Sequence, residues 1–137
     1  MTAPKLAPSD QYISDYDAIL KTMDLYITGL KTGGGKTMSQ GFLPEATASG
    51  HFMSALLTGA AQKLFDAVDQ NGPAPGLVVR FATVEIVGTI ASVRLEADRF
   101  TGKLAPPEGY RMSDLFTLLK SEAGWKIAHK AFHVHSA

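Results

Sequence analysis

Apolar side chains recur at three- and four-residue steps from Tyr12 and Ile13 through Tyr16, Ile19, Met23 and Tyr26 to Leu30. That spacing draws one stripe along a long amphipathic helix. Polar Ser14, Asp15, Asp17, Lys21 and Asp24 fill much of the rest of its surface. Ser9 or Asp10 can cap its start by accepting an orphan backbone N–H, and Gly33-Gly34-Gly35 stops it, because glycine tolerates the left-handed turn that releases a helix. A short helical piece is expected from Lys36 to Phe42, broken by Pro44. "EATASGHF" reads as a short strand, followed by an irregular hairpin to Gly59. Ala60 to Gly72 repeats the helical pattern, with Leu64, Phe65 and Val68 inward and Gly72 as the stop.

The period then changes from helical to alternating. "LVVRFATVEIVG" (77–88), "TIASVRLEADRF" (89–100), "YRMSDLFTLLK" (110–120) and "WKIAHKAFHVH" (125–135) are rich in β-branched and aromatic residues, as strands are. Helices first and a long antiparallel sheet afterwards predict an α+β fold. Residues 1–8, with two prolines and no period, read as a disordered lead, and 9–137 as a single domain.

Composition narrows the partners. Thirteen basic residues balance thirteen acidic ones and no basic block exists, so there is no electrostatic footprint for nucleic acid. The absence of cysteine removes disulfides and thiolate chemistry, and fits a cytoplasmic location. The first twelve residues lack the apolar stretch of a signal peptide, and no apolar run is long enough to span a membrane.

Two motifs invite stronger readings than they support. "GGGKT" (33–37) looks like a phosphate loop, but the first glycine of that motif would be Leu30, and the segment follows a helix rather than a strand. His129, His133 and His135 share one parity with Trp125 and Ile127, which could array imidazoles on one sheet face. No carboxylate stands at ligand spacing, so no metal site is assigned.

The closing hairpin (Asp114 to His135), "YITGLKTGG" and "GFLPEATASG" together resemble the nuclear transport factor 2-like superfamily. The resemblance covers most of residues 10–135. Within it, "GLKTG", "GWKI" and "KAFHVH" are most similar to the bacterial group labelled putative lumazine-binding. The resemblance implies a cone: N-terminal helices packed on a strongly curved antiparallel sheet, a hollow interior, and a homodimer through the outer sheet face. It also implies a comparison with the ketosteroid isomerase branch. Tyr26 stands seven residues before Gly33, the spacing of that branch's oxyanion tyrosine. Gly50 falls where the branch carries its proton-shuttling aspartate, and the branch's second acid falls at Leu115 or Asp114.

The candidate catalytic residues are therefore Tyr26, Asp114 and His51, the last as a base near neutral pH. The candidate ligand-binding residues are Tyr26, Phe42, Phe52, Phe65, Phe116, Lys130 and Phe132. Superposed on the family, Lys130, Phe132 and Val134 face the cavity and the histidines face outward. A lysine aimed into an apolar cone needs a carboxylate partner or a depressed pKa, and Asp114 is the natural partner. The expected function is binding of an apolar or aromatic small molecule in the cone, with no metal or organic cofactor. A cofactor-independent isomerase, dehydratase or cyclase using Tyr26 as oxyanion donor, and a purely structural role with a plugged cone, are the alternatives.

Overall fold

The computed structural model describes residues 9–135; the N-terminal lead expected over 1–8 lies outside them. Helix α1 (Asp10–Thr32) is capped by Ser9, whose hydroxyl accepts from Tyr12 N–H at 3.2 Å, and ends at Gly33 with φ 70°. Its buried face runs through Ile19, Met23, Tyr26 and Leu30, as the spacing predicts. Tyr12 and Ile13 stay partly exposed. Asp15 turns inward instead, because Lys120, Trp125 and Gln11 all donate to its Oδ1, at 3.0, 3.1 and 3.0 Å.

Helix α2 is short (Gly35–Ser39), and strand β1 (Phe42–Phe52) begins earlier than the sequence suggests. Pro44 sits inside β1, where the pairing jumps from Phe42 to Thr47, so no ladder needs the N–H that proline lacks. Strand β2 (Ala55–Ala60) completes a regular hairpin with β1, and α3 (Gln62–Asn71) ends at Gly72. Strands β3 (Val78–Val87), β4 (Ile90–Phe100), β5 (Tyr110–Ser121) and β6 (Gly124–His135) form a meander.

The six-stranded sheet has the order β2-β1-β6-β5-β4-β3. It is mixed rather than wholly antiparallel: β1 runs parallel to β6. Hairpin signals in the chain are local, whereas this pairing joins segments some eighty residues apart and carries no local mark.

The inner face of the sheet packs on α1, burying Val93, Leu95, Phe116, Leu118 and Ile127 against Ile19, Met23 and Tyr26. Thr22 Oγ1 donates to Trp125 C=O at 2.7 Å, tying the helix to the start of β6. A β-bulge sets the register beyond that point. Leu118 pairs with Ile127 but Thr117 pairs with His129, so Ala128 is the extra residue on β6. One extra residue exchanges the faces of everything after it. Trp125 and Ile127 are therefore buried, while His129, two residues on, stands on the opposite face with His133 and His135, and Lys130, Phe132 and Val134 take over the inner side. The parity that the sequence assigns jointly to Trp125, Ile127 and the histidines does not survive the bulge.

Candidate functional site

Beyond the α1 contact the curved sheet, β2 and α3 enclose a cavity of about 490 Å³. Phe52, Leu64, Phe100, Tyr110, Phe132 and Val134 make much of its wall, with Tyr26 and Lys130 at its inner end. Phe52 and Tyr110 meet edge to face, with ring centres 5.3 Å apart.

Two polar side chains, Tyr26 and Lys130, reach the inner end of the cavity, and Asp114 lies behind them. Tyr26 lies on the buried stripe of α1 and is fully enclosed; its O–H donates to Asp114 Oδ2 at 3.3 Å. Asp114 is on β5, between Leu95 of β4 and Phe132 of β6, and is 1 % exposed. Lys130 is on β6, opposite Phe116 and Ala48, and is 4 % exposed. Its Nζ lies 4.0 Å from Asp114 Oδ1, too far for a hydrogen bond, and Oδ1 has no other partner among the described residues. The ammonium position sits 5.0 Å from the centre of the Tyr26 ring and 5.2 Å from that of Phe132.

Burial sets the electrostatics of this group. Loss of hydration lowers the Lys130 pKa from 10.5, against the opposing pull of Asp114. Loss of hydration likewise raises Asp114 above 3.8, although Lys130 and the Tyr26 hydrogen bond both oppose the rise. The Tyr26 phenol is pushed well above 10.0 by burial and by the neighbouring carboxylate, so it remains a donor at any ordinary pH. Both members of the lysine–carboxylate pair are thus displaced toward their uncharged forms.

The other candidates lie elsewhere. Phe42, Phe65 and Phe116 are core residues: Phe42 and Phe65 pack edge to face at 5.0 Å, and Phe116 does the same on Tyr26 at 4.9 Å. None of the three is in the cavity wall. His51 is exposed and pairs with Leu56 and His133, on the face opposite to Ala48 and Phe52, so it is not brought to Tyr26 or Asp114. Of the two positions at which the second acid could fall, Asp114 points inward and Leu115 is 55 % exposed on the outer face.

Gly50, at the place of the missing aspartate, pairs with Phe132, whose backbone carbonyl and ring occupy the space a Cβ would need. The phenylalanine ring thus takes the place of a base on β1, and the carboxyl and amine of the site come from β5 and β6.

Sequence reasoning passed over Tyr110 and Met112, which line the cavity. Both share the parity of Asp114 on β5, a signal available in the alternation itself. It also passed over Asn71, whose buried amide donates to Thr101 C=O at 2.9 Å and accepts from Leu104 N–H at 3.0 Å, pinning the loop at the cavity wall.

Comparison with known proteins agrees with this architecture. Residues 14–133 match the family model described as "Putative lumazine-binding". A nuclear transport factor 2-like protein of unknown function from Methylobacillus flagellatus is 33% identical, with TM-score 0.81 over 90% of this chain and 94% of that one. A second, from Shewanella baltica, is 32% identical, with TM-score 0.83 over 94% of this chain and 100% of that one. Aldolase FrzH from a Cladobotryum species is 27% identical over 120 residues, 88% of this chain and 91% of the relative. With the family model spanning nearly the whole domain and both bacterial structures sharing its fold, the chain belongs to the putative lumazine-binding family of the nuclear transport factor 2-like superfamily.

Proposed function

We propose that the protein binds an apolar or aromatic small molecule in the cavity, with the ligand's polar end directed at Lys130 and Tyr26. The observation that carries this reading is a buried lysine, Lys130, in the wall of a largely apolar cavity, with the buried carboxyl of Asp114 behind it. Dehydrating both groups costs several kcal/mol each, and a distant, unbonded pair recovers little of it. A purely structural role would be better served by apolar residues there. About 490 Å³ lies within the roughly 300–1,000 Å³ typical of small-molecule sites. A panel of naphthyl and tricyclic aromatic compounds, with and without a polar substituent, tests the reading by thermal shift. Ligand at about a hundredfold over Kd should stabilise the fold by about 2.7 kcal/mol. The plugged variant Ala67→Trp should lose the response. No shift with any compound, or equal shifts in both proteins, would remove the proposal.

The similarity to an aldolase favours a second reading, a cofactor-independent enzyme acting at the same site. Tyr26 would donate to a developing oxyanion while Asp114 or Lys130 moves the proton. This reading expects exchange of the protons next to the carbonyl of 2-tetralone in deuterated water, followed by NMR. Tyr26→Phe should slow exchange by about a hundredfold, and exchange no faster than in buffer would exclude it. His51 has no place in this scheme.

For the outer sheet face we infer a second copy of the chain as cover. Leu115, Val87 and Ile90 are exposed there, an apolar surface that a two-fold partner would bury. Light scattering should give a dimer mass, reduced to the monomer by Leu115→Glu; a monomeric wild type would refute the inference.

A further inference from the structure

Lys130 is the one buried lysine among the described residues, and its surroundings do not suit an ammonium ion. An ammonium presents three donors. Here Nζ makes no hydrogen bond to another described residue; two aromatic rings flank it, and the nearest carboxylate oxygen is 4.0 Å away. That oxygen, Asp114 Oδ1, is itself buried and has no hydrogen-bond partner among the described residues. The geometry sets an unbonded amine at the inner end of the cavity, with a carboxyl group behind it across a 4.0 Å gap. Burial lowers the Lys130 pKa and raises that of Asp114, each toward its uncharged form. An uncharged amine carries a free lone pair, and such a lysine is a nucleophile toward carbonyl carbon.

Resting on the ligand-binding reading above, we propose that Lys130 joins an aldehyde or ketone group of the ligand through a reversible imine, with Asp114 as the proton donor. The Lys130 nitrogen attacks the carbonyl carbon. The C–N bond forms, the C=O π pair moves to oxygen, and that oxygen takes a proton from the attacking nitrogen. The resulting carbinolamine then breaks its C–O bond. Asp114 gives its proton to the departing hydroxyl, which leaves as water, while the nitrogen lone pair closes the C=N bond. Neutral amine, neutral acid and carbonyl become iminium, carboxylate and water, with no net change in charge. The iminium and carboxylate left behind form a compensated pair. The ligand class is an aromatic or alicyclic aldehyde or ketone of bicyclic to tricyclic size. Tyr26, whose O–H reaches Asp114 Oδ2, holds the acid in place and is a positioning residue for this step.

The test uses 6-methoxy-2-naphthaldehyde with sodium cyanoborohydride, which delivers hydride to the iminium carbon and fixes it as a secondary amine. Intact-mass measurement and peptide mapping should find one adduct per chain, at Lys130, formed at least about tenfold faster than at any other lysine, because a buried neutral amine need not first lose a proton. Lys130→Arg should remove that adduct, and Asp114→Asn should slow it while leaving its position unchanged. Labelling spread over the exposed lysines with Lys130 unmodified would overturn the proposal. The carbonyl-free analogue 2-methoxynaphthalene separates this failure from that of the parent reading. Thermal stabilisation by both naphthalenes without label at Lys130 removes the imine and leaves the cavity as a binding site. Stabilisation by neither, again without label, removes both.

Discussion

Replacing the Lys130–Asp114 pair by apolar residues should stabilise the fold, whereas removing either member alone should not. The separation of 4.0 Å gives a charged pair an attraction of roughly 4 kcal/mol at an effective dielectric of about 20. Against it stands the dehydration of two ions, several kcal/mol each, with no hydrogen bond between them to help. The balance is close to zero or unfavourable, and the pKa directions agree, since both groups shift toward neutrality. In Lys130→Met, the buried Asp114 carboxyl keeps only the Tyr26 hydrogen bond and has no amine facing Oδ1, which should cost up to about 3 kcal/mol. At this chain length that is on the order of 10 °C in Tm. The double variant Asp114→Leu/Lys130→Met should be at least as stable as the parent, by up to about 2 kcal/mol. Urea melts of the four proteins close a double-mutant cycle whose coupling term isolates the pair. If the double variant is destabilised as much as either single, the pair is a structural tie. The main support for a binding site at this end of the cavity would then be gone.

Further consequences follow from single residues. Tyr26→Phe removes one buried hydrogen bond and leaves Asp114 Oδ2 unpartnered, so stability should fall by about 1–3 kcal/mol in urea melts, with a larger loss of affinity for ligands bearing a polar group than for wholly apolar ones. Burial pushes the Asp15 carboxyl up, but the hydrogen bonds from Lys120, Trp125 and Gln11 and the Lys120 charge outweigh it and hold the pKa below 3.8. A depressed folded-state pKa stabilises above the unfolded value and loses that contribution as pH falls through the folded one. The stability gap between wild type and Asp15→Asn should therefore be full at pH 6 and shrink below about pH 4; a gap independent of pH would contradict the ion pair. Gly50→Ala places a methyl group against the Phe132 ring and carbonyl, so it should destabilise by about 1–3 kcal/mol, and Phe132→Ala should recover only the part due to the ring.

Much of the architecture was legible because it is written in local periods. The α1 stripe, the Gly33 and Gly72 stops and the final hairpin all follow from spacing and turn chemistry. The inward placement of Lys130 and its pairing with Asp114 followed from the family resemblance, and the bulge at Ala128 is what reconciles that placement with a buried Trp125. No local signal announces the bulge: it answers two demands from far apart, α1 requiring Trp125 and Ile127, and the cavity requiring Lys130 and Phe132. The division of phenylalanines between core and wall was equally hidden. Phe42 and Phe52 lie on the same face of β1, and only the position of α3 decides that the first packs on Phe65 while the second faces open space. His51 is a different case. Adjacent residues of a strand face opposite sides, so His51 and Phe52 could not both have looked into the cavity, and the alternation alone was enough to say so.

A ligand held in the cavity should meet Lys130 and Tyr26 with its polar end. A crystal structure of the protein soaked with the most stabilising compound of the aromatic panel tests it most directly. The ring system should lie between Phe52, Tyr110 and Phe132, with its polar atom within hydrogen-bonding or bonding distance of Lys130 Nζ. A ligand found only on the outer sheet face, or an inner end closed by side chains with Lys130 turned away, would contradict it.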